Sequence, residues 1–324
     1  MAKQFRLQGL SFETELMGDR INFAHETVYL SLVPWEFCNW ACVYCHEGWR
    51  RKEADELTIE EMRSIIREAG QMRFRSLLLL GGEILLANTW AITKEIVQEA
   101  FDAGLVTLIY TNGSQLTLDM AKYLADRKVS LAFKLDSLSE DKYDRLAGQP
   151  GSFGSTMRAI DIARKTSIGD VVYENEKEKL VRLLFTTVGN ALNVDEYVSL
   201  ARFATNHGAR WMMESLNHRG DAQQHPELAL NVNEHSEAMR VAMLLNPEQQ
   251  HEFHLPCRLF SCITIRKKGE VGVCPQDYNF IGNIREIGSL RESAALIKNR
   301  VQAAQWREGW TGQCPVKASH FYSA

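Results

Sequence analysis

Six short runs rich in leucine and β-branched residues recur along the chain, near 28–33, 76–80, 105–110, 129–135, 181–188 and 209–214. Each has the length and composition of a buried strand. Between them apolar residues return at helical spacing. The clearest case opens at Thr58, whose hydroxyl is placed to cap a helix while Glu61 reaches back to complete a capping box. Met62, Ile65, Ile66 and Ala69 then share one face. A second helix is expected from Asn88 as cap to Gly104 just beyond its end, a third from Thr117, and a fourth from about Asp195 to Gly208. Six strand–helix units in series predict an α/β fold built on a parallel sheet with right-handed crossovers. No internal repeat or low-complexity tract interrupts the pattern.

Composition narrows the class. The chain has 324 residues, 45% hydrophobic and 24% charged, which is ordinary for a globular protein with room for one barrel-sized domain and a smaller companion. The opening residues lack the apolar core of a signal peptide, and no run reaches the roughly 18 apolar residues of a membrane span. Seven cysteines without an export signal fit a reducing cytoplasm. A net charge of −4 argues against a nucleic-acid partner, whose phosphates ask for a basic surface.

Candidate chemistry begins just after the first strand. Residues 36–46 read EFCNWACVYCH, so Cys38, Cys42 and Cys45 bring three thiols onto one tight loop. A structural zinc site wants four closing ligands, usually in paired knuckles, and a disulfide framework wants an even count in a short secreted chain. Thiolate ligation of an iron–sulfur cluster is the natural use of such spacing. A cube held by three cysteines keeps one iron open.

The loop resembles the signature of the radical S-adenosylmethionine superfamily, and the likeness runs over roughly residues 28–215. It implies a partial (β/α)6 TIM-like barrel and a 4Fe-4S cluster whose open iron chelates S-adenosylmethionine. Reductive cleavage of that cofactor gives a 5′-deoxyadenosyl radical that takes hydrogen from substrate. In parallel barrels the reactive groups collect at the carboxyl ends of strands, and the remaining motifs fall there. Tyr44 holds the aromatic position that in the family packs on adenine. Residues 77–83, LLLLGGE, end in the family's GGE pattern; Gly81 and Gly82 allow close backbone approach to ligand, and Glu83 is placed to accept from the methionine ammonium. Thr111, Asn112 and Gly113 resemble the TNG element, with Asn112 toward the ribose hydroxyls. In residues 131–137, LAFKLDS, Lys134 and Asp136 share a strand face. Lys134 stands where related enzymes often carry serine, and a lysine there suits the cofactor carboxylate. Arg182 is a second candidate for that role. Asp136 and Ser137 are candidates to face cofactor or substrate, and Glu214 is a further candidate catalytic group, with a strand-end surface acid as its plain alternative.

The other four cysteines, Cys257, Cys262, Cys274 and Cys314, lie beyond the barrel. Residues 263–273, ITIRKKGEVGV, read as a β-hairpin with a Lys-Lys-Gly turn. The arrangement resembles the SPASM/Twitch auxiliary domain, in which cysteines around such a hairpin hold a second 4Fe-4S cluster. Four cysteines match the shortened Twitch form, the full SPASM version needing seven. Zinc remains an alternative, as does a cluster with only three protein ligands. The expected organisation is an N-terminal extension over 1–27, the barrel over 28–215, a connector and possible lid over 216–250, and the auxiliary-cluster domain over 251–324.

If all seven cysteines are ligands, no thiol is left to return a hydrogen atom, and an auxiliary cluster instead suits net oxidation. The expected substrate is a small polar metabolite such as a sugar, aminoglycoside or nucleoside. The alternative is maturation of a ribosomally made peptide by a crosslink or an α-carbon change, for which the stretch before the first strand is too short to supply a leader-binding domain. The polar connector over 216–225, with His218 and Arg219, is a candidate lid. Arg50, Arg51 and Lys52 are a solvated charge run or a docking patch for an acidic flavodoxin- or ferredoxin-type electron donor.

Overall fold

The computed structural model describes residues 29–47, 55–174, 179–245, 262–276 and 278–308. The chain divides into two compact units, one of residues 1–37, 51–109 and 256–324, the other of residues 38–50 and 110–255.

In the first unit β1 (Tyr29–Leu32), β2 (Ser76–Leu79) and β3 (Val106–Thr111, crossing into the second unit after Ile109) lie parallel and in register, Leu30 opposite Leu77 and Leu77 opposite Thr107. Leu30, Leu32, Leu77 and Leu79 are fully buried, which is why these strands read as continuous apolar runs. Helices α1 (Ile59–Gln71) and α2 (Trp90–Asp102) cross between them. At α1 the expected capping box is complete: Thr58 Oγ1 accepts from the Glu61 backbone N–H and the Glu61 carboxylate accepts from that of Thr58. Met62, Ile65, Ile66 and Ala69 form its buried face. The expected cap of α2 is corrected by one residue. Thr89, not Asn88, occupies the position, and its hydroxyl donates backward to the Ile84 and Leu86 carbonyls instead of capping forward.

The expected hairpin is present as β9 (Cys262–Ile265) and β10 (Glu270–Gly272), with a short β11 (Gly282–Asn283) beyond. The sequence pattern gave no sign of its position. β9 lies parallel beside β1, Leu30 opposite Ile263, so the strand order of this unit is β11-β10-β9-β1-β2-β3. Helices α8 (Ile284–Ile287) and α9 (Leu290–Glu308) follow, and the Glu68 carboxylate of α1 accepts from the Leu290 and Arg291 N–H groups at the start of α9. A carboxylate there satisfies donors that the helix itself leaves open.

In the second unit β4 (Ser130–Lys134), β7 (Leu183–Gly189) and β8 (Arg210–Ser215) are parallel. Phe133, Phe185 and Trp211 stand in one register row and are fully buried. Around them run α3 (Leu118–Asp126), capped by Thr117 as expected, α4 (Glu140–Ala147), α5 (Ser152–Arg164), α6 (Tyr197–Asn206) and α7 (Val232–Leu245). The fourth expected helix starts as a 3-10 turn over Val194–Glu196 before α6. A separate antiparallel pair, β5 (Val171–Glu174) and β6 (Lys179–Val181), precedes β7 and was not expected. Its charged composition hides a strand signal that only pairing brings out.

Candidate active site

The route from β1 into the cysteine loop is held by β2. Beyond their paired residues the two segments go on exchanging backbone bonds: the N–H groups of Leu80, Gly82 and Glu83 donate to the carbonyls of Leu32, Trp35 and Phe37. The Trp35 indole returns a bond to the Glu83 carbonyl at 2.9 Å. Gly81 has φ +142, and a Cβ there would lie 2.3 Å from the Trp35 oxygen; one on Gly82 would lie 1.8 Å from that of Phe37. The close approach that demands these glycines is therefore to the chain's own segment ahead of Cys38. Glu83 is buried and its Oε1 accepts from the Leu85 N–H at 2.7 Å. On the same segment the buried Glu36 carboxylate meets Arg266 at 3.1 Å and Lys267 at 3.0 Å, both buried in the turn between β9 and β10.

Within the second unit the cysteine loop is gripped from three directions. The Val43 N–H donates to the Leu146 carbonyl at the end of α4, and the Cys45 carbonyl accepts from the Asp221 N–H at 2.9 Å. Gly220, with φ +56, lets that second strap lie close, since a Cβ there would come within 2.6 Å of the Cys45 oxygen. Trp40 packs edge-on against Tyr143. The Cys38 sulfur receives the Trp40 N–H at 3.4 Å and the Asn112 amide at 3.7 Å. Burial raises the Cys42 thiol pKa above its ordinary range, and the neighbouring Cys45 and Cys38 add to the effect. The three thiols thus share one electrostatic environment.

Below the loop, the buried Tyr44 hydroxyl donates to Asp136 Oδ2, and the Val188 N–H donates to Asp136 Oδ1 at 2.7 Å. Lys134 Nζ stands 3.7 Å from the same carboxylate and 5.0 Å above the Tyr44 ring. Burial first, then the Asp136 charge, holds the Tyr44 phenol well above its ordinary pKa. This lysine, aspartate and tyrosine therefore form one cluster reached from β4 and the cysteine loop.

A family model described as the Radical SAM superfamily matches residues 32–204, more than half of the chain. The protein belongs to this superfamily. Among curated relatives of this radical SAM protein, the AdoMet-dependent heme synthase of Methanosarcina barkeri is 33% identical over 139 residues, 41% of this chain and 39% of that protein. The GTP 3′,8-cyclase of Photorhabdus laumondii subsp. laumondii is 28% identical over 144 residues, 44% of this chain and 43% of that protein. The matched part thus spans about two-fifths of these relatives' length. Among solved structures, anSMEcpe with bound AdoMet aligns with TM-score 0.62 at 13% identity, covering 85% of this chain and 82% of that one. Streptococcus suis SuiB bound to S-adenosylmethionine aligns with TM-score 0.59 at 14% identity, covering 96% and 71%. At such identities the likeness concerns the fold, a mixed α/β core with the parallel strands that the sequence pattern predicted, consistent with the partial barrel that the family resemblance implied.

Membership implies a 4Fe-4S cluster and S-adenosylmethionine, and the donor set fits. Three mutually influencing thiols on one loop, with N–H donors aimed at a sulfur, suit a cluster whose irons each take one thiolate. Among the described residues no three His, Cys, Asp or Glu side chains converge on a point that one metal ion would occupy. The structure brings Cys38, Cys42, Cys45, Tyr44, Asn112, Lys134 and Asp136 into the two linked clusters just described. Thr111 is buried, its hydroxyl accepting from the Gly113 N–H at 2.9 Å. Three other expected site residues are placed elsewhere. Ser137 turns to the Glu196 carboxylate at 2.8 Å, and Glu214 sits part-exposed on β8 opposite Val188. Arg182 lies in the bend before β7, its carbonyl bonded to the Leu131 N–H at the opposite strand end from Asp136.

Of the second cysteine group, Cys262 is buried beside Tyr29, with its thiol pushed up to about 12 mainly by burial. Cys274 follows β10, returns toward the level of Cys262, and contributes to that shift. Cys257 and Cys314 lie outside the described residues, as do Arg50, Arg51 and Lys52 and the extension over 1–27. Sequence reasoning missed Asn39, Glu36, Arg266 and Lys267. Asn39 sits between Cys38 and Trp40, and a polar residue inside a ligand loop was the one available signal. The connector is more closely packed than a free lid, with Leu216, Ala222 and Leu228 buried.

Proposed function

We propose that this radical SAM protein is an oxidoreductase acting on a small polar metabolite such as a sugar, aminoglycoside or nucleoside, with an auxiliary cluster on Cys257, Cys262, Cys274 and Cys314 taking up the substrate electron. The observation that carries the oxidative reading is the hairpin, whose register brings Cys274, just past β10, back to the level of Cys262 on β9. Cys38, Cys42 and Cys45 would hold the cluster, which would supply the electron for reductive cleavage of S-adenosylmethionine.

The chain's own residues supply orientation. In this reading Lys134 takes the cofactor carboxylate, its Nζ aimed by the Asp136 carboxylate 3.7 Å away. Tyr44, fixed at its hydroxyl by Asp136, presents its ring as a rigid wall for the adenine. Gly81 and Gly82 act indirectly, by letting β2 lie against the segment that leads into the cysteine loop, and Thr111 supports the ribose side. Burial around these groups excludes water from a reactive radical. Ser137, Arg182 and Glu214 receive no role in the reaction. A cytoplasmic setting with a flavodoxin- or ferredoxin-type donor completes the proposal; no described helix is long and apolar enough to cross a membrane.

A second reading, maturation of a ribosomally made peptide, draws support from the fold neighbours SuiB bound to its precursor peptide SuiA and anSMEcpe bound to peptides. Product analysis separates the two. Oxidation of a metabolite is expected to consume one S-adenosylmethionine per turnover and to carry substrate deuterium into 5′-deoxyadenosine, whereas tight binding of a leader peptide selects the maturase. Anaerobic reconstitution is expected to give about eight irons per chain, falling to about four when Cys38, Cys42 and Cys45 are all changed to alanine. About four irons in the unmodified protein removes the auxiliary cluster.

A further inference from the structure

We infer that Asn112 is a positioning residue for the Cys38 thiolate, and that it sets how readily the cluster held there accepts an electron. The inference rests on the cluster-binding reading of Cys38, Cys42 and Cys45, and it moves Asn112 away from the ribose contact expected from the sequence.

The amide belongs to a closed ring of hydrogen bonds. The Ser114 backbone N–H donates to Asn112 Oδ1 at 2.8 Å, Asn112 Nδ2 donates to Asn39 Oδ1 at 3.0 Å, and Asn39 Nδ2 donates to Ser114 Oγ at 2.9 Å. A backbone N–H can only donate, so the Ser114 bond fixes the oxygen end of the Asn112 amide. Its nitrogen must therefore face the cysteine loop. There the two amide protons have two acceptors, Asn39 Oδ1 and the Cys38 sulfur at 3.7 Å. The Trp40 N–H reaches the same sulfur at 3.4 Å. Asn112 is also anchored from behind, because its carbonyl accepts from the buried Thr156 hydroxyl at 3.1 Å.

The direction of the effect follows from charge. One-electron reduction adds negative charge to the cluster and its thiolates, and an N–H aimed at sulfur stabilises the more electron-rich state. Without that donor, reduction is harder. Asn39 matters through the same amide, since it holds the nitrogen in place beside Cys38.

The test is the midpoint potential of reconstituted protein without S-adenosylmethionine, followed on the EPR signal that later addition of S-adenosylmethionine perturbs. In Asn112→Leu, with iron content intact, reduction is expected to be disfavoured by about tenfold, a fall of ~59 mV for one electron. Asn39→Ala and Ser114→Ala, which slacken the ring, are expected to give smaller falls in the same direction. If Asn112→Leu fails to hold iron, Asn112→Ala, which removes the donor without adding charge, takes its place and is expected to show a fall in the same direction. An unmoved potential in iron-replete variants overturns the inference while leaving the cluster reading intact. A wild-type protein with no cluster signal responsive to S-adenosylmethionine instead overturns the cluster reading itself.

Discussion

Gly82 shows most directly how one position secures the site. A methyl group there would meet the Phe37 carbonyl oxygen at 1.8 Å, where no flexible side chain can yield. Gly82→Ala must therefore push β2 off the segment that delivers Cys38. It is expected to cost about 2–4 kcal/mol and to lower iron occupancy at the first three cysteines, read by denaturant unfolding and iron counting. That glycines were needed after β2 was legible in the sequence; that they meet the chain's own backbone was not, because the partner lies more than forty residues away. Lys134 and Asp136 teach the same lesson. Their period-of-two spacing put them on one face, and the structure adds the Tyr44 hydroxyl that joins them to the cysteine loop.

Most elements whose signals are local were read correctly, the cap of α2 excepted. The capping box at Thr58 and Glu61 and the Thr117 cap needed only neighbours within a turn. Long-range supports of the same helices were invisible. Arg285, beyond the hairpin, donates to the Glu61 carboxylate at 2.5 and 2.9 Å and to the Asp55 and Glu56 carbonyls. The Arg285 bond is the largest cause holding the Glu61 carboxyl down to about 2 from its ordinary 4.5. Because the folded value is depressed, the contribution is present above pH 4.5 and is lost as the pH falls toward 2. Both side chains are partly exposed, 34% for Glu61 and 38% for Arg285, so solvent screens much of the pairing. Arg285→Ala is expected to cost only about 1 kcal/mol near neutral pH. That difference from the unmodified protein should shrink in unfolding measurements taken at successively lower pH.

At the scale of the molecule, the hairpin strand β9 lies beside β1, and its turn brings Arg266 and Lys267 against Glu36, two residues before Cys38. Arg266 also stacks 4.4 Å from the Tyr278 ring and donates to the Pro275 carbonyl at 3.1 Å. Arg266→Met leaves Glu36 with Lys267 alone and gives up the Pro275 and Tyr278 contacts, so it is expected to cost about 1–3 kcal/mol. Combining it with Glu36→Gln in a double-mutant cycle read by denaturant unfolding is expected to give a non-zero coupling energy between the two positions. Strict additivity would show that the pair is not coupled. The sequence alone determined the alternation of strands and helices, the three-cysteine loop and the glycine-rich strand end, since each is written in residues near one another in the chain. Only tertiary structure decided that β9 extends the first unit's strands beside β1, that Glu36 is clamped by the hairpin, and that Asn112 addresses a sulfur. Those outcomes depend on pairings across long stretches of chain, where register and burial, rather than local propensity, select the partner.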